Sequence, residues 1–385
     1  MSSPTFDFRL PTRIVFGADA IEQLGDLTRE LPAQRVLLVS DPGIAAAGHT
    51  RRAIESLERA GATVQLFEGV HENPTTADVA AGLASATPFK PEAIIGLGGG
   101  SAMDCAKGIN FLYSNGGRMQ DYWGVNKAPH PMLPMVAVPT TAGTGSEAQS
   151  FALISDAETH VKMACGDKKA ACRVAVLDPR LTLTQPQRVT ALTGIDALAH
   201  AIETYVSTKR SQISQTFSRE AWHLLVTHFE QVLERPDDLA ARGSMQLGAC
   251  LAGLAIENSM LGAAHGLANP LTAHCGLAHG QAVGVMLPHV IRFNAEVVSR
   301  EYDDLWKLHG AAESGSVGAP AEALAALVAS LTRRAGLQTS LADCGVDRSA
   351  LSVLAEEAAR QWTTSFNPRP ANPAALLELY HQAWN

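Results

Sequence analysis

Up to about residue 184 the chain alternates short apolar, β-branched runs with longer stretches of helical periodicity. The runs "RVLLVS" (35–40), "ATVQLF" (62–67), "AIIGLGG" (93–99), "MVAVPT" (135–140) and "VAVLDP" (174–179) have strand length and near-continuous apolar character. Strands that alternate with helices in this way predict a parallel sheet flanked by helices. After "DPRLTLTQPQ" (178–187) the strand pattern stops, and alanine- and leucine-rich helical segments such as "AEALAALVASLTRRAG" (321–336) and "PAALLELYHQAW" (373–384) continue to the end. The expected organisation is therefore an α/β domain over residues 1–184 followed by an all-α domain over 185–385. No internal repeat accompanies this change of texture.

Composition narrows the class of partner. In 385 residues, 46% are hydrophobic and 18% charged, the balance of an ordinary globular protein, and the length suits two lobes. A formal net charge of −8 leaves no basic surface for nucleic acid or an anionic membrane, so small molecules are the expected partners. The opening "MSSPTFDFRLPTR" carries Asp7, Arg9 and Arg13 with no apolar run between them, so neither a signal peptide nor a membrane span is expected there, and a cytoplasmic location follows. Six scattered cysteines without CxxC spacing predict reduced core residues, with no disulfide framework and no thiolate metal site.

Three segments of the first half carry candidate binding chemistry. "IIGLGGGSAMDCAKG" (94–108) runs from an apolar strand through glycines into a helix expected to begin near Ser101; such a turn either cradles a pyrophosphate or is a plain strand-to-helix turn. "VPTTAGTGSE" (138–147) offers Thr140, Thr141, Thr144 and Ser146 after another strand, where an α/β sheet holds its ligand, although a polar loop would read the same way. Asp41, at the end of "VLLVSDPG" (36–43), can accept hydrogen bonds from an adenosine ribose and repel a 2′-phosphate, or it can cap the helix that follows.

The second half supplies candidate metal chemistry. In "TGIDALAHAIETY" (193–205), Asp196 and His200 lie four residues apart on one helical face. "NSMLGAAHGLANPLTAHCGLAHGQAVG" (258–284) adds His265, expected near the end of a helix that Pro270 stops at Asn269, and His279 just before another helix. One carboxylate and three imidazoles suit Fe²⁺ or Zn²⁺, provided that the fold gathers them.

These residues together give a resemblance. From "RIVFGADAIEQL" (13–24) to "FNPRPAN" (366–372) the sequence resembles the iron-containing (group III) alcohol dehydrogenases, most specifically in "GGGSAMDCAKG", "PTTAGTGSE", "ETHVKM", "GIDALAHAIE", "HGLANPLTAHCGLAHG" and "VMLPHVIRFN". The resemblance implies the fold shared with dehydroquinate synthase: a Rossmann-like dinucleotide-binding α/β domain, a helical metal-binding domain and a catalytic site in the cleft between them. It implies metal ligation by Asp196, His200, His265 and His279. It implies a pyrophosphate loop of Gly98, Gly99, Gly100 and Ser101 with Asp104 just inside the helix, nicotinamide-side contacts from Thr140, Thr141, Thr144 and Lys162, and further cofactor neighbours in Asn73 and Leu181. Asp41 matches the position linked to NAD over NADP. Two positions depart from the family pattern: Asn269 stands where a second histidine often follows the third ligand, and Ser150 precedes Phe151 where many members have asparagine.

The implied reaction is hydride transfer between a small alcohol or aldehyde and NAD(H), with Fe²⁺, or alternatively Zn²⁺, favouring the alkoxide; His279 and Asn269 are the candidate catalytic residues, and a homo-oligomer, dimer or larger, is expected. A metal shifts bound water from a pKa of about 15.7 to about 7, which at about 1.36 kcal/mol per unit caps the deprotonation benefit at roughly 12 kcal/mol. Three alternatives compete with this reading. A metal-free reductase has no use for the four ligands, a lyase resembling dehydroquinate synthase calls for glutamate at Asp196, and a non-catalytic nucleotide binder needs only the glycine loop.

Overall fold

The computed structural model describes residues 8–309 and 320–385; Asp7 of the N-terminal stretch lies outside the described residues. The chain divides between Gln185 and Pro186 into two compact units.

The first unit is built on a six-stranded sheet. Its strands are β1 (Arg13–Phe16), β2 (Arg35–Val39), β3 (Thr63–Phe67), β4 (Ala93–Gly98), β6 (Met135–Pro139) and β9 (Val174–Leu177), in the spatial order β1-β9-β6-β4-β2-β3 with every neighbour parallel. Helices α1 (Leu24–Arg29) and α3 (His49–Arg59) cover one face, α4 (Thr76–Phe89) and α5 (Gly100–Asn115) the other, and the short α2 (Pro42–Ala46) follows β2. The apolar runs are continuous because both faces are covered. Along β2, Val36 and Leu38 enter the core under α1 and α3, while Leu37 and Val39 enter the core under α4 and α5; Ile95 and Ile94 of β4 divide in the same way. All five predicted runs form strands of this sheet.

Sequence reasoning did not reach the rest of the β structure. Strand β1 is only four residues long and sits at the sheet edge, so its "RIVF" is half-exposed and lacks the apolar continuity of the central strands. A second, three-stranded sheet joins β5 (Gly124–Val125), β8 (Lys162–Gly166) and β7 (Phe151–Ser155), with β7 and β8 antiparallel. β7 buries alternate residues, β8 does so over its first four, and "DAETHV" (156–161) separates the two.

In the second unit the described residues form helices without strands: α6 (Gln187–Val206), α7 (Gln212–Glu234), α8 (Leu239–Glu257), α9 (Ala263–Cys275), α10 (His279–Leu308, kinked at Val298), α11 (Pro320–Arg334), α12 (Leu351–Arg360) and α13 (Pro373–Trp384). Helix α8 is long and apolar enough to cross a membrane, with mean hydropathy 1.3, yet it packs as a core helix against α6 and α7.

Two details of α9 differ from expectation. The chain breaks after α8, and α9 starts at Ala263, so His265 lies in the first turn of its helix rather than near the end. Nor does Pro270 end α9, which continues to Cys275. Proline removes the amide that would have bonded Gly266 and disturbs the turn before it. Burial of Leu267, Ala268 and Leu271 on either side of Pro270 holds the helix together, and Tyr380 of α13 donates its hydroxyl to the Leu267 carbonyl at 2.6 Å. Asn269 is thus an interior residue of α9, not its end cap.

That tyrosine gives a direct test of how the disturbed turn is supported. Tyr380→Phe keeps the ring but removes this added donor to the Leu267 carbonyl, and should lower stability by about 0.5–1.5 kcal/mol. Urea denaturation followed by helical signal checks it; an unchanged midpoint would mean that the hydroxyl does not support the turn.

Candidate metal centre and dinucleotide loop

Helix α6 carries Asp196, His200 and Glu203 at i, i+4 and i+7, so all three lie on one face. Helix α9 brings His265 to that face, and His279 arrives as the first residue of α10. The arrival of His279 depends on Gly280: a Cβ there would come within 2.1 Å of the Leu192 carbonyl oxygen of α6, so any side chain would push the start of α10 away.

Three imidazole Nε2 atoms converge on one carboxylate oxygen. Asp196 Oδ1 lies 3.2 Å from His265, 3.5 Å from His200 and 3.6 Å from His279. Around a tetrahedral Zn²⁺ with bonds of about 2.0–2.1 Å, neighbouring ligand atoms stand about 3.3–3.4 Å apart. These distances suit donors that share one ion better than they suit three competing hydrogen bonds. Asp196, His265 and His279 offer donor atoms all within 4.8 Å of one another, and the His200 ring stacks on that of His265 at 4.7 Å. The donor set is nitrogen and oxygen only, suited to Fe²⁺ or Zn²⁺.

The electrostatics agree with a cation site. Burial alone would raise the Asp196 carboxyl, but His200, His265 and His279 outweigh it and hold it below the usual carboxylate range. Burial would lower His265, and the carboxylates of Glu203 and Asp196 reverse that, lifting it to about 9. Anionic charge is in excess here, and positive charge is favoured.

Glu203 was not singled out from sequence, although the i+7 spacing from Asp196 is the signal that would have found it. One of its oxygens meets His265 Nδ1 and the other accepts from the Ala264 amide at 2.7 Å. A carboxylate on Nδ1 keeps a proton there, so the proton given up to an ion would be the one on Nε2, which faces Asp196 and its neighbours. Asn269, one turn beyond His265, is half-buried and donates to Gln361 Oε1 at 3.1 Å.

In the α/β unit the candidate cofactor residues gather at the carboxyl ends of β2, β4 and β6. The chain passes from β2 outward to β3 and then returns to β4 on the other side of β2, so strand order reverses between β2 and β4. Open α/β sheets take their ligands outside such a reversal. Gly98 ends β4, Gly99 caps α5, and Gly100 and Ser101 open it, one residue earlier than expected. Gly99 offers no side-chain cap to the first amides of this 16-residue helix, as suits an anion site. Asn73, with φ of +52°, donates its amide to Ser101 Oγ at 3.2 Å, and the Thr140 amide donates to the Gly98 carbonyl at 2.9 Å. Thr141 packs beside Gly99, and Thr144 beside Gly100.

Other candidates sit deeper. Asp104 is buried beneath the loop, where it accepts from Ser146 Oγ at 2.7 Å; burial pushes its carboxyl up against the opposing pull of Lys107. Lys107, unassigned from sequence, is fully buried and donates to the Ser146 carbonyl, Ser146 Oγ and the Phe151 carbonyl at 2.6–2.9 Å, fastening the threonine loop to α5. Lys162 begins β8 and acts electrostatically on Asp104. The Leu181 side chain is fully buried in the core under α1 and α3. Asp41 is the N-cap of α2, accepting from the Ile44 amide at 3.0 Å through Oδ1.

A reversed parallel sheet with a glycine turn at its switch point, together with a helical unit that gathers one carboxylate and three imidazoles, defines a dinucleotide-linked, metal-dependent enzyme. Comparison with known proteins makes the assignment particular. Residues 11–179 match the iron-containing alcohol dehydrogenase model, and residues 190–384 match the C-terminal model of the Fe-containing alcohol dehydrogenase family. The chain is 33% identical over 387 residues to 1,3-propanediol dehydrogenase of Klebsiella pneumoniae, covering 100% of both chains. It is 32% identical over 378 residues to the NAD-dependent methanol dehydrogenase of Bacillus methanolicus, covering 98% of this chain and 99% of that one. The crystal structure of a 1,3-propanediol oxidoreductase superposes with a TM-score of 0.95 at 32% identity, over 99% of this chain and 100% of that one. The chain belongs to the iron-containing alcohol dehydrogenase family, and it is an oxidoreductase of the NAD-linked alcohol dehydrogenase and aldehyde reductase kind. Membership also sets aside the lyase and the non-catalytic nucleotide binder.

The contact between Glu203 and His265 makes a prediction about ion affinity. In Glu203→Gln an amide N–H facing Nδ1 forces the imidazole proton to Nε2, where it blocks ligation. Zn²⁺ affinity should fall about 10–100-fold, as for other orienting partners of metal-bound histidine. Titration against a competing chelator measures this, and wild-type affinity in the variant would refute the tautomer role.

Proposed function

We propose that this enzyme interconverts a small alcohol and its aldehyde with NAD in preference to NADP, and that Asp196, His200, His265 and His279 hold the divalent ion, Fe²⁺ or alternatively Zn²⁺. The observation that carries the proposal is the convergence of three imidazole nitrogens on one buried carboxylate oxygen. When bound, such an ion would polarise the alcohol oxygen, and the nicotinamide would take the hydride. The protein's own residues supply the rest. Glu203 keeps His265 in the ligating tautomer, and Asn269, held by Gln361, is available to orient the substrate oxygen or a water without itself titrating.

The amides of Gly99, Gly100 and Ser101 are suited to the pyrophosphate, and Thr140, Thr141, Thr144, Asn73 and Lys162 to the remainder of the cofactor. Methanol and 1,3-propanediol, named for the two relatives, set the size range to try first. A cytoplasmic homo-oligomer, dimer or larger, acting on no nucleic acid and no membrane, completes the reading.

The test is an alcohol and aldehyde screen with NAD and NADP after reconstitution with each metal. His265→Ala should lose the ion and most turnover while keeping dinucleotide binding, because every candidate cofactor residue lies in the other unit. Full activity in a verified metal-free enzyme would sink the proposal.

Cofactor choice rests on Asp41, whose Oδ1 is committed to the Ile44 amide while its other oxygen lies beside Gly98. A 2′-phosphate brought against that carboxylate is repelled. Asp41→Gly should narrow the NAD preference in kcat/KM; an unchanged ratio, with a loss of stability alone, would leave Asp41 as a helix cap only.

A further inference from the structure

Two segments of the family resemblance, "VMLPHVIRFN" (285–294) and "FNPRPAN" (366–372), take no part in the chemistry described so far. They meet in the helical unit. Asn294 of α10 and Asn367 exchange reciprocal amide hydrogen bonds at 3.0 and 2.7 Å, both fully enclosed. Arg369 fastens the same segment to α10: its Nη1 donates to the Phe293 carbonyl at 2.9 Å, its guanidinium lies 4.3 Å over the Phe293 ring, and its Nη2 is 3.1 Å from Glu296.

The start of α9 explains what this segment is for. The N-cap of α9 is Gly262, which has no side chain to accept from the first amides. The Ala263 amide donates instead to Asn367 Oδ1 at 3.2 Å, and the Ala264 amide to Glu203 Oε1 at 2.7 Å. His265 is the next residue. A Cβ on Gly262 would stand 3.0 Å from each of these two oxygens, so a side chain of its own would crowd the acceptors that replace it.

Asn367 makes every hydrogen bond its side chain can make. Oδ1 accepts from Ala263 N and Asn294 Nδ2; Nδ2 donates to Asn294 Oδ1 and to the Arg369 carbonyl at 2.7 Å. Its orientation follows from the backbone, since the Ala263 amide only donates and the Arg369 carbonyl only accepts. One side chain thereby joins the first turn of the helix carrying His265 to the helix that begins with His279.

We propose that Asn367 is a positioning residue for the metal centre: an N-cap supplied from outside α9 that fixes His265 relative to α10. The inference rests on the metal reading above. Loss of this cap frees the first turn of α9 to fray, and His265 loses its fixed place beside Asp196.

The experiment measures binding of Zn²⁺ alone, and of Fe²⁺ alone under anaerobic conditions, by chelator competition and by rate of release, in the full-length protein. Asn367→Ala should bind about tenfold or more weakly, the lower range for partners that orient metal-bound histidine. Trp222→Phe, which removes the indole donor to the Leu305 carbonyl in the same unit, should lose comparable thermal stability yet keep wild-type affinity. Affinity within twofold of wild type in Asn367→Ala would overturn the inference. Should that variant not fold, Asn294→Ala removes only two of the four bonds to Asn367; threefold or greater weakening supports the inference, and unchanged affinity overturns it. Equal ion binding by wild type and His265→Ala would instead overturn the metal reading, and this inference with it.

Discussion

The helical unit is organised by one buried carboxylate. Asp196 lies where burial works against its charge, and three imidazoles aimed at a single oxygen of it make the charge tolerable. An unpaired carboxylate in such a place would be neutralised or would destabilise the fold. The arrangement fixes much around it: α6 must present Asp196, His200 and Glu203 on one face, α10 must begin within reach of α6, and α9 must start afresh after Gly262 rather than run on from α8. Glu203 and Asn367 then hold the backbone of α9 from outside.

Placing the four candidate ligands on three separate helices has an energetic corollary. An ion bound only by the folded arrangement stabilises that arrangement by mass action, by about 2.7 kcal/mol at a hundredfold excess over its dissociation constant. On the proposed reading the helical unit would have a second source of cohesion beside its apolar core, the ion itself. The sheet of the α/β unit is sealed by apolar side chains on both faces.

Sequence carried the central sheet and the four converging residues because their signals are local or unusual in kind. Continuous apolar runs read as buried parallel strands, and a carboxylate and imidazole four apart on an apolar helix are hard to read as ordinary surface. What escaped depended on tertiary partners. Strand β1 and the small sheet have no apolar continuity, since each is half-covered. Pro270 was misread because local steric reasoning could not see Tyr380, more than a hundred residues later, donating to the disturbed turn. Lys107 stands in a quoted motif, but only the fold shows a buried ammonium holding Ser146 and Phe151. Asn367 and Asn294 have meaning only as a pair.

The edge strand of the α/β unit carries a consequence for synthesis. Among the described residues β1 pairs only with β9, Arg13 opposite Val174 through Phe16 opposite Leu177, and Thr12 donates to the Cys172 carbonyl in continuation of that edge. On a ribosome, β1 has no strand to pair with until β9 has been made, near the end of the α/β unit, while β2, β3 and β4 can already associate beside it. Within this sheet, the strand that comes first in the chain thus waits longest for its partner.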